Sequence, residues 1–488
     1  MIRAFFRRIE STTDRRLVAI MVGVFAVVHA IYYILAGIRP DTEAQEWSWV
    51  LLDLNFLKND LLRSVFYTHM HPPVINLFVG VIRKLFPGHE KLAFGTIYVL
   101  LGLGFYLAVY YLMRQFKISK VLSLVLSTLF MISPSFILEE QLISYDWLLV
   151  PTLTISAVLL YFYLERRRWW VLFLFFVLIG LMCSTRSIFH LLYFVVVFSV
   201  VLVAVKDPKT VITAALVPFL IVLSIYVKNF VLFHHFAAGS GMGFNISKVL
   251  IRSTSLEERK RWVAEGVVSE IFLIEPAYPL SLFPKKYLEA KGYENIPALR
   301  QPIKRDSVSQ NLNHMGYLAL SDDYTRESIN AILHYPRAEM FGLMSAWYCY
   351  FRSPAENIVL EPNRSRIAPM VNLYDYVFFG KFPWQVPFGK GYNLYVFLLI
   401  GLPLLYLYGV RLVLRPGSKS GLDGTQRLVA LYMIANIAYI TFLTNTLELA
   451  ENQRGQFYTL AFVLVFLGVF LERVIARRKN RPGVVKVA

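Results

Sequence analysis

The sequence predicts an all-α polytopic membrane protein, and three observations carry that expectation. Of its 488 residues 57% are hydrophobic and 17% charged, too apolar for a soluble globular chain and too long for a single anchor. Apolar runs of about 17 to 25 residues, each enough to cross a bilayer, recur along it. Basic residues cluster in short links and termini beside those runs, as cytoplasmic loops require.

The first span is expected over 17–36, a signal anchor with no small-residue cleavage site behind it. The apolar run 74–86 is short and ends in Arg83 and Lys84, which suits an interfacial or re-entrant helix. The second span is therefore 92–113, leaving 37–91 as the first outer loop. Further spans are expected at 118–137, 147–164, 169–185, 188–205, 210–233, 392–414, 426–444 and 455–473. They complete a bundle of about ten transmembrane helices with both termini cytoplasmic, in the inner (cell) membrane. Three parts follow: a membrane module over 1–233, an extracytoplasmic, mostly helical domain over 234–391, and C-terminal helices with a basic tail over 392–488.

A net charge of +18 raises the question of nucleic acid, and its placement answers it. The clusters are Arg3, Arg7, Arg8, Arg15 and Arg16; Arg114, Lys117 and Lys120; Arg166, Arg167 and Arg168; and Lys206 and Lys209. They continue in Arg411, Arg415, Lys419 and Arg427, and in Arg473, Arg477, Arg478, Lys479, Arg481 and Lys486. Each flanks an apolar run, so the basicity encodes orientation; the partner is the lipid bilayer and no nucleic acid is expected. Cys183 falls within a span, so no disulfide to Cys349 is expected.

In the outer insertion, Ser255-Leu256-Glu257-Glu258 has the form of a capping box opening a helix to about Ala264. A second helix is expected from Tyr324 to Tyr350, kinked near Pro336, its second half lying on or in the membrane surface.

Ionisable residues at the outer ends of spans are the candidates for chemistry. Asp41, Glu43 and Glu46 follow the first span, and a carboxylate there suits a general base, a solvated acidic loop being the plain alternative. In His71-Pro72-Pro73 the prolines hold His71 at the mouth of the short helix 74–86. Tyr145-Asp146 closes the next outer loop, where Asp146 either serves the helix dipole or orients a sugar hydroxyl. Arg186, Lys228 and Arg454 are cations where the positive-inside rule disfavours them, so each binds an anionic phosphate, pairs with a nearby acid such as Glu448 or Glu451, or snorkels. The pairs His69 with His71 and His234 with His235 lack the spacing of a zinc signature; no cofactor is expected, a divalent metal being the lesser alternative.

With these residues in order, the chain resembles the GT-C superfamily of integral-membrane glycosyltransferases, and is most similar to the branch of protein O-mannosyltransferases and the lipid A aminoarabinose transferase. The features that carry the likeness are the acidic first loop with Asp41, His71-Pro72-Pro73 on a juxtamembrane helix, Ser133-Pro134 ahead of Asp146, and the stretch from Gly180 to Arg186. Lys228-Asn229-Phe230, Gly239 to Asn245, and Glu451-Asn452-Gln453-Arg454 opening a last span add to it.

The resemblance implies a polyprenyl-phosphate-linked sugar donor and a protein, glycolipid or cell-wall acceptor, with inverting transfer at the outer face as part of cell-envelope glycosylation. Asp41 matches the family's first-loop aspartate, although Thr42 separates it from Glu43, and Lys228 stands where the family has Arg. Catalytic roles fall to Asp41 and Glu43, and substrate-binding roles to His71, Tyr145, Asp146, Arg186, Lys228 and Arg454. The rival classes are a transporter or flippase of a lipid-linked sugar, and a non-catalytic envelope-assembly subunit; the polar residues gathered at one face and the asymmetric outer domain favour the enzyme.

Overall fold

The computed structural model describes residues 9–305, 309–385, 391–415 and 421–479; the basic positions Arg3, Arg7, Arg8, Lys419, Arg481 and Lys486 lie outside them. The protein is an all-α polytopic membrane protein. Its helices are α1 (Asp14–Leu35), the short α2 (Ala44–Trp47), α3 (Val74–Leu85) and α4 (Glu90–Gln115). Then come α5 (Lys120–Met131), α6 (Pro134–Gln141), α7 (Tyr145–Arg166), α8 (Trp169–Thr185), α9 (Leu191–Val205) and α10 (Pro208–Phe233). The insertion that follows α10 contributes α11 (Met242–Ser253), α12 (Leu256–Ala264), α13 (Met315–His334) and α14 (Pro336–Tyr350). The chain closes with α15 (Val396–Leu414), α16 (Gly424–Leu447) and α17 (Gln453–Lys479).

Among the described residues seven helices are long and apolar enough to span, with an eighth if α5 and α6, bent by 53°, are one span. The apolar helices α8 and α9 are shorter, so the structure has fewer full-length spans than the ten expected. The bend has a local cause. Pro134 carries no N–H to continue α5, while Ser133 accepts a hydrogen bond from the Phe136 N–H at 3.2 Å and starts α6 afresh. Buried Glu140 on α6 accepts a 2.7 Å contact from His29 of α1, so polar partners fix the bent segment inside the bundle.

Three expected boundaries differ. The span placed at 188–205 begins at Leu191, because residues 186–190 make the turn that presents Arg186. The span placed at 392–414 begins at Val396. Residues 391–395 form a strand, β2 (Gly391–Tyr395), antiparallel to β1 (Lys381–Gln385), with Lys381 opposite Tyr395; apolar composition hid its alternation. The helix expected over 324–350 is two: Tyr335 leaves the helical region (φ −127°, ψ 58°) and Pro336 opens α14, as a proline disfavours helix at the residue before it.

The capping box at Ser255 and Glu258 is present. Around it the insertion has its own core, with Trp262 stacked on Tyr335 at 4.6 Å and Phe272, Tyr317 and Tyr324 buried beneath. Gly243 lets α11 pass close to α13: a Cβ there would sit 1.9 Å from the Ser321 carbonyl oxygen. The insertion is tied to the bundle by Lys248 with Glu448, by Arg252 donating to the Leu449 carbonyl at 3.0 Å, and by Tyr350 bonded to Thr441 at 2.8 Å. The middle of α14 leaves Met340, Phe341 and Met344 exposed beside these spanning helices.

Candidate functional site

A cavity of about 2000 Å³ opens where the first loop, the insertion and the ends of α7, α8, α16 and α17 meet. It is lined by Asp41, Glu43, His71, Tyr145, Arg186 and Arg454. The basic clusters at Arg114, Arg166 to Arg168, Lys206 and Arg411 sit at the other ends of those helices or their neighbours.

Asp41 is placed by its backbone. Its N–H donates to the Gln141 carbonyl at 2.7 Å, its carbonyl accepts from the Ile143 N–H at 3.4 Å, and the pairing forms a parallel bridge with Leu142. Its Oδ1 accepts the N–H groups of Glu43 and Ala44, both at 3.1 Å, which leaves Oδ2 for a ligand. The acidic loop is held from behind by Gln45, whose Oε1 accepts from Arg83 of α3 at 2.8 Å. Glu43 is exposed at the start of α2.

The three histidines nearby have different tasks. His69 is a buried strut: Nδ1 meets Ser240 Oγ at 2.8 Å and Nε2 meets the Asn313 carbonyl at 2.9 Å, joining first loop to insertion. Burial pushes its pKa down to about 3. His71 faces the cavity with a buried Nε2 that has no protein partner. Burial, then the charges of Arg186 and Lys304, lowers its pKa to about 4, so it is a neutral imidazole at physiological pH. His235 instead pairs with Asp322 at 3.2 Å in the insertion. Among the described residues no three His, Cys, Asp or Glu are arranged to hold a metal ion.

The two arginines are organised around Asp146. Arg186 donates to its Oδ1 at 3.0 Å and to Tyr458 Oη at 2.7 Å; Arg454 binds Oδ2 and donates to Tyr145 Oη at 3.0 Å. Arg454 also pairs with Glu451. Both guanidinium groups lie over the Tyr145 ring, Arg186 at 4.9 Å and Arg454 at 5.5 Å from its centroid. Two like charges are thereby held together by one buried carboxylate and one aromatic face, with Glu451 balancing the second arginine.

Two expected binding residues do not line the cavity. Asp146 is buried behind the arginines with both oxygens engaged. Lys228 turns the other way, its Nζ donating to the carbonyls of Phe66 at 3.0 Å and Thr68 at 2.5 Å, where it holds the end of the first loop to α10. Other residues of the site escaped sequence reasoning. Tyr458 binds both Arg186 and Asp146, and its position one helical turn from Arg454 was the available signal. Arg352 and Glu356, paired at 2.8 Å, and Lys381, at 3.8 Å from Glu356, also line the cavity; nothing in the sequence set them apart from an ordinary solvated surface.

Residues 70–227 match the family described as dolichyl-phosphate-mannose-protein mannosyltransferase, within the GT-C superfamily. The match covers about a third of the chain and takes in His71, Tyr145, Asp146 and Arg186, with Asp41, Lys228 and Arg454 outside it. It supports a membrane glycosyltransferase of the GT-C type, acting with a lipid-linked sugar in a membrane setting. No curated protein and no solved structure matches the chain.

Proposed function

We propose that this protein transfers a sugar from a polyprenyl-phosphate donor to a hydroxyl acceptor at the outer face of the membrane, with inversion at the anomeric carbon. The observation that carries the reading is one cavity with the Asp41 carboxylate on one wall and the Arg186–Arg454 pair on another. The positive-inside rule supports the outer face, since the basic clusters lie at the helix ends remote from the cavity.

In this scheme Asp41 takes the acceptor's hydroxyl proton on Oδ2 as the acceptor oxygen bonds to the anomeric carbon. The bond from that carbon to the phosphate oxygen breaks, and the phosphate leaves with the electron pair. Arg186 and Arg454 stabilise the charge growing on it, in a site the bundle has already desolvated. Neutral His71 offers one hydrogen bond to a donor or acceptor hydroxyl without adding charge. Glu43 stands beside Asp41 as a second acceptor of hydroxyl hydrogen bonds.

The test is consumption of a radiolabelled polyprenyl-phosphate sugar by purified protein in detergent, where no gradient exists. Release of polyprenyl phosphate is expected. Movement of the donor across vesicles without its cleavage would replace the enzyme with a transporter.

A further inference from the structure

The first loop carries two large aromatic groups that the scheme above leaves unused. Trp47 and Trp49 line the cavity, and they keep 58% and 45% of their surface exposed. Their backbone is immobilised from the far side. Lys304 donates to the Ser48 carbonyl at 2.6 Å, Asn76 donates to the Val50 carbonyl at 3.2 Å, and the Leu52 N–H donates to Asn76 at 2.7 Å. Leu51 and Leu52 are buried beneath. Trp47 ends α2, one helical turn after Glu43, so an exposed carboxylate and an exposed indole share one face next to Asp41.

Resting on the glycosyl-transfer reading, we infer that Trp47 and Trp49 form the acceptor platform and that the acceptor is itself a carbohydrate. The chemistry is specific. A pyranose ring presents a face of C–H bonds that packs on the negative π face of an indole, while its rim of hydroxyls needs planar acceptors such as the Glu43 carboxylate. A rigid aromatic pair flanked by carboxylates meets both needs with little side-chain entropy to lose. An unstructured peptide would pair along exposed backbone groups, and on this wall the Ser48 and Val50 carbonyls are already taken by Lys304 and Asn76. A free glycan and the glycan of a glycolipid share this chemistry.

The test uses the full-length protein in phosphatidylethanolamine–phosphatidylglycerol nanodiscs, with saturation-transfer NMR on maltotriose, chitotriose, mannotriose and a Ser/Thr hexapeptide. At least one trisaccharide is expected to bind, and its affinity to fall about tenfold in Trp47→Ala and Trp49→Ala. Trp47→Phe keeps part of the binding, and Trp47→Leu, which keeps bulk without a π face, does not. No trisaccharide binding to wild type, equal binding by the alanine variants, or binding of the peptide alone overturns the inference; the last identifies a protein acceptor. The indoles would act as a membrane-interface belt if the variants altered only stability in the nanodisc, with trisaccharide binding unchanged. Hydrolysis of the polyprenyl-phosphate sugar, read without acceptor, separates the two levels. If it persists while trisaccharides fail, only the acceptor class is wrong; if it is absent while they bind through Trp47, only the transfer scheme is.

Discussion

Arg186 and Arg454 come from helix ends far apart in sequence yet hold opposite oxygens of the same carboxylate, that of Asp146. The carboxylate balances two cations that would otherwise repel each other in a desolvated site. Asp146→Asn removes that balance with almost no change of shape. Breaking a buried charge pair costs about 3 to 5 kcal/mol, so a clear drop in melting temperature in detergent is expected, together with loss of transfer. An unchanged melting temperature would show that the arginines hold their places without it.

Asp41→Asn tests the proposed base separately. Asparagine still offers an oxygen to the N–H groups of Glu43 and Ala44, so the loop should keep its shape. Transfer is expected to fall by about 100- to 10,000-fold, with donor binding near wild type. Transfer that survives would remove Asp41 from the chemistry.

Lys228 and Arg454 should part company under substitution. Lys228→Met loses two hydrogen bonds to backbone carbonyls and is expected to lower stability by about 1.5 to 3 kcal/mol while leaving the donor KM alone. Arg454→Lys keeps the charge but loses the fork that reaches Tyr145, Asp146 and Glu451 together, and is expected to raise the donor KM. A Lys228→Met variant with weakened donor affinity would return Lys228 to the binding site.

Acid should loosen the fold through its buried imidazoles. His69 and His71 have pKa values of about 3 and about 4, against 6.5 for a free histidine. Between pH 6.5 and those values the unfolded chain binds protons that the folded chain refuses. Their contribution to stability is therefore full above pH 6.5 and drains away as the pH falls towards 4. Melting temperatures measured down this range should decline, and His71→Asn should flatten part of the slope. A wild-type curve without decline would contradict the burial of both rings.

Gly243→Ala probes the insertion. The added methyl meets a backbone carbonyl, which cannot rotate away, so α11 and α13 must separate. A destabilisation of about 1 to 3 kcal/mol is expected by thermal melting, with the spanning helices still folded by circular dichroism.

The spanning helices, α3 and the capping box were legible because hydrophobic periodicity and end signals are local properties of the chain. Arg186 and Arg454 were legible for a different reason: a cation on the disfavoured side of a span needs a partner. The same logic misassigned Lys228, since a lysine whose partners are backbone carbonyls looks identical in sequence to one that binds phosphate. Asp146 was noticed, for the helix dipole or a sugar hydroxyl, but its arginine partners were not. Its partners lie 40 and 308 residues away, and no short-range pattern encodes that distance. The β1–β2 hairpin was missed because Tyr392, Leu394 and Tyr395 read as the start of the next apolar run.

The rung between Asp41 and Leu142 has a mechanical consequence. Leu142 lies three residues before Tyr145 and four before Asp146, so the segment that carries Asp41 is stitched to the segment that leads into the arginine pair. Sliding either by one peptide would break both hydrogen bonds and shift the Asp41 carboxylate relative to the guanidinium pair. In the proposed scheme the spacing between proton acceptor and leaving-group seat is thus built into the main chain, and side-chain evolution can change what enters the chamber without retuning the distance across it.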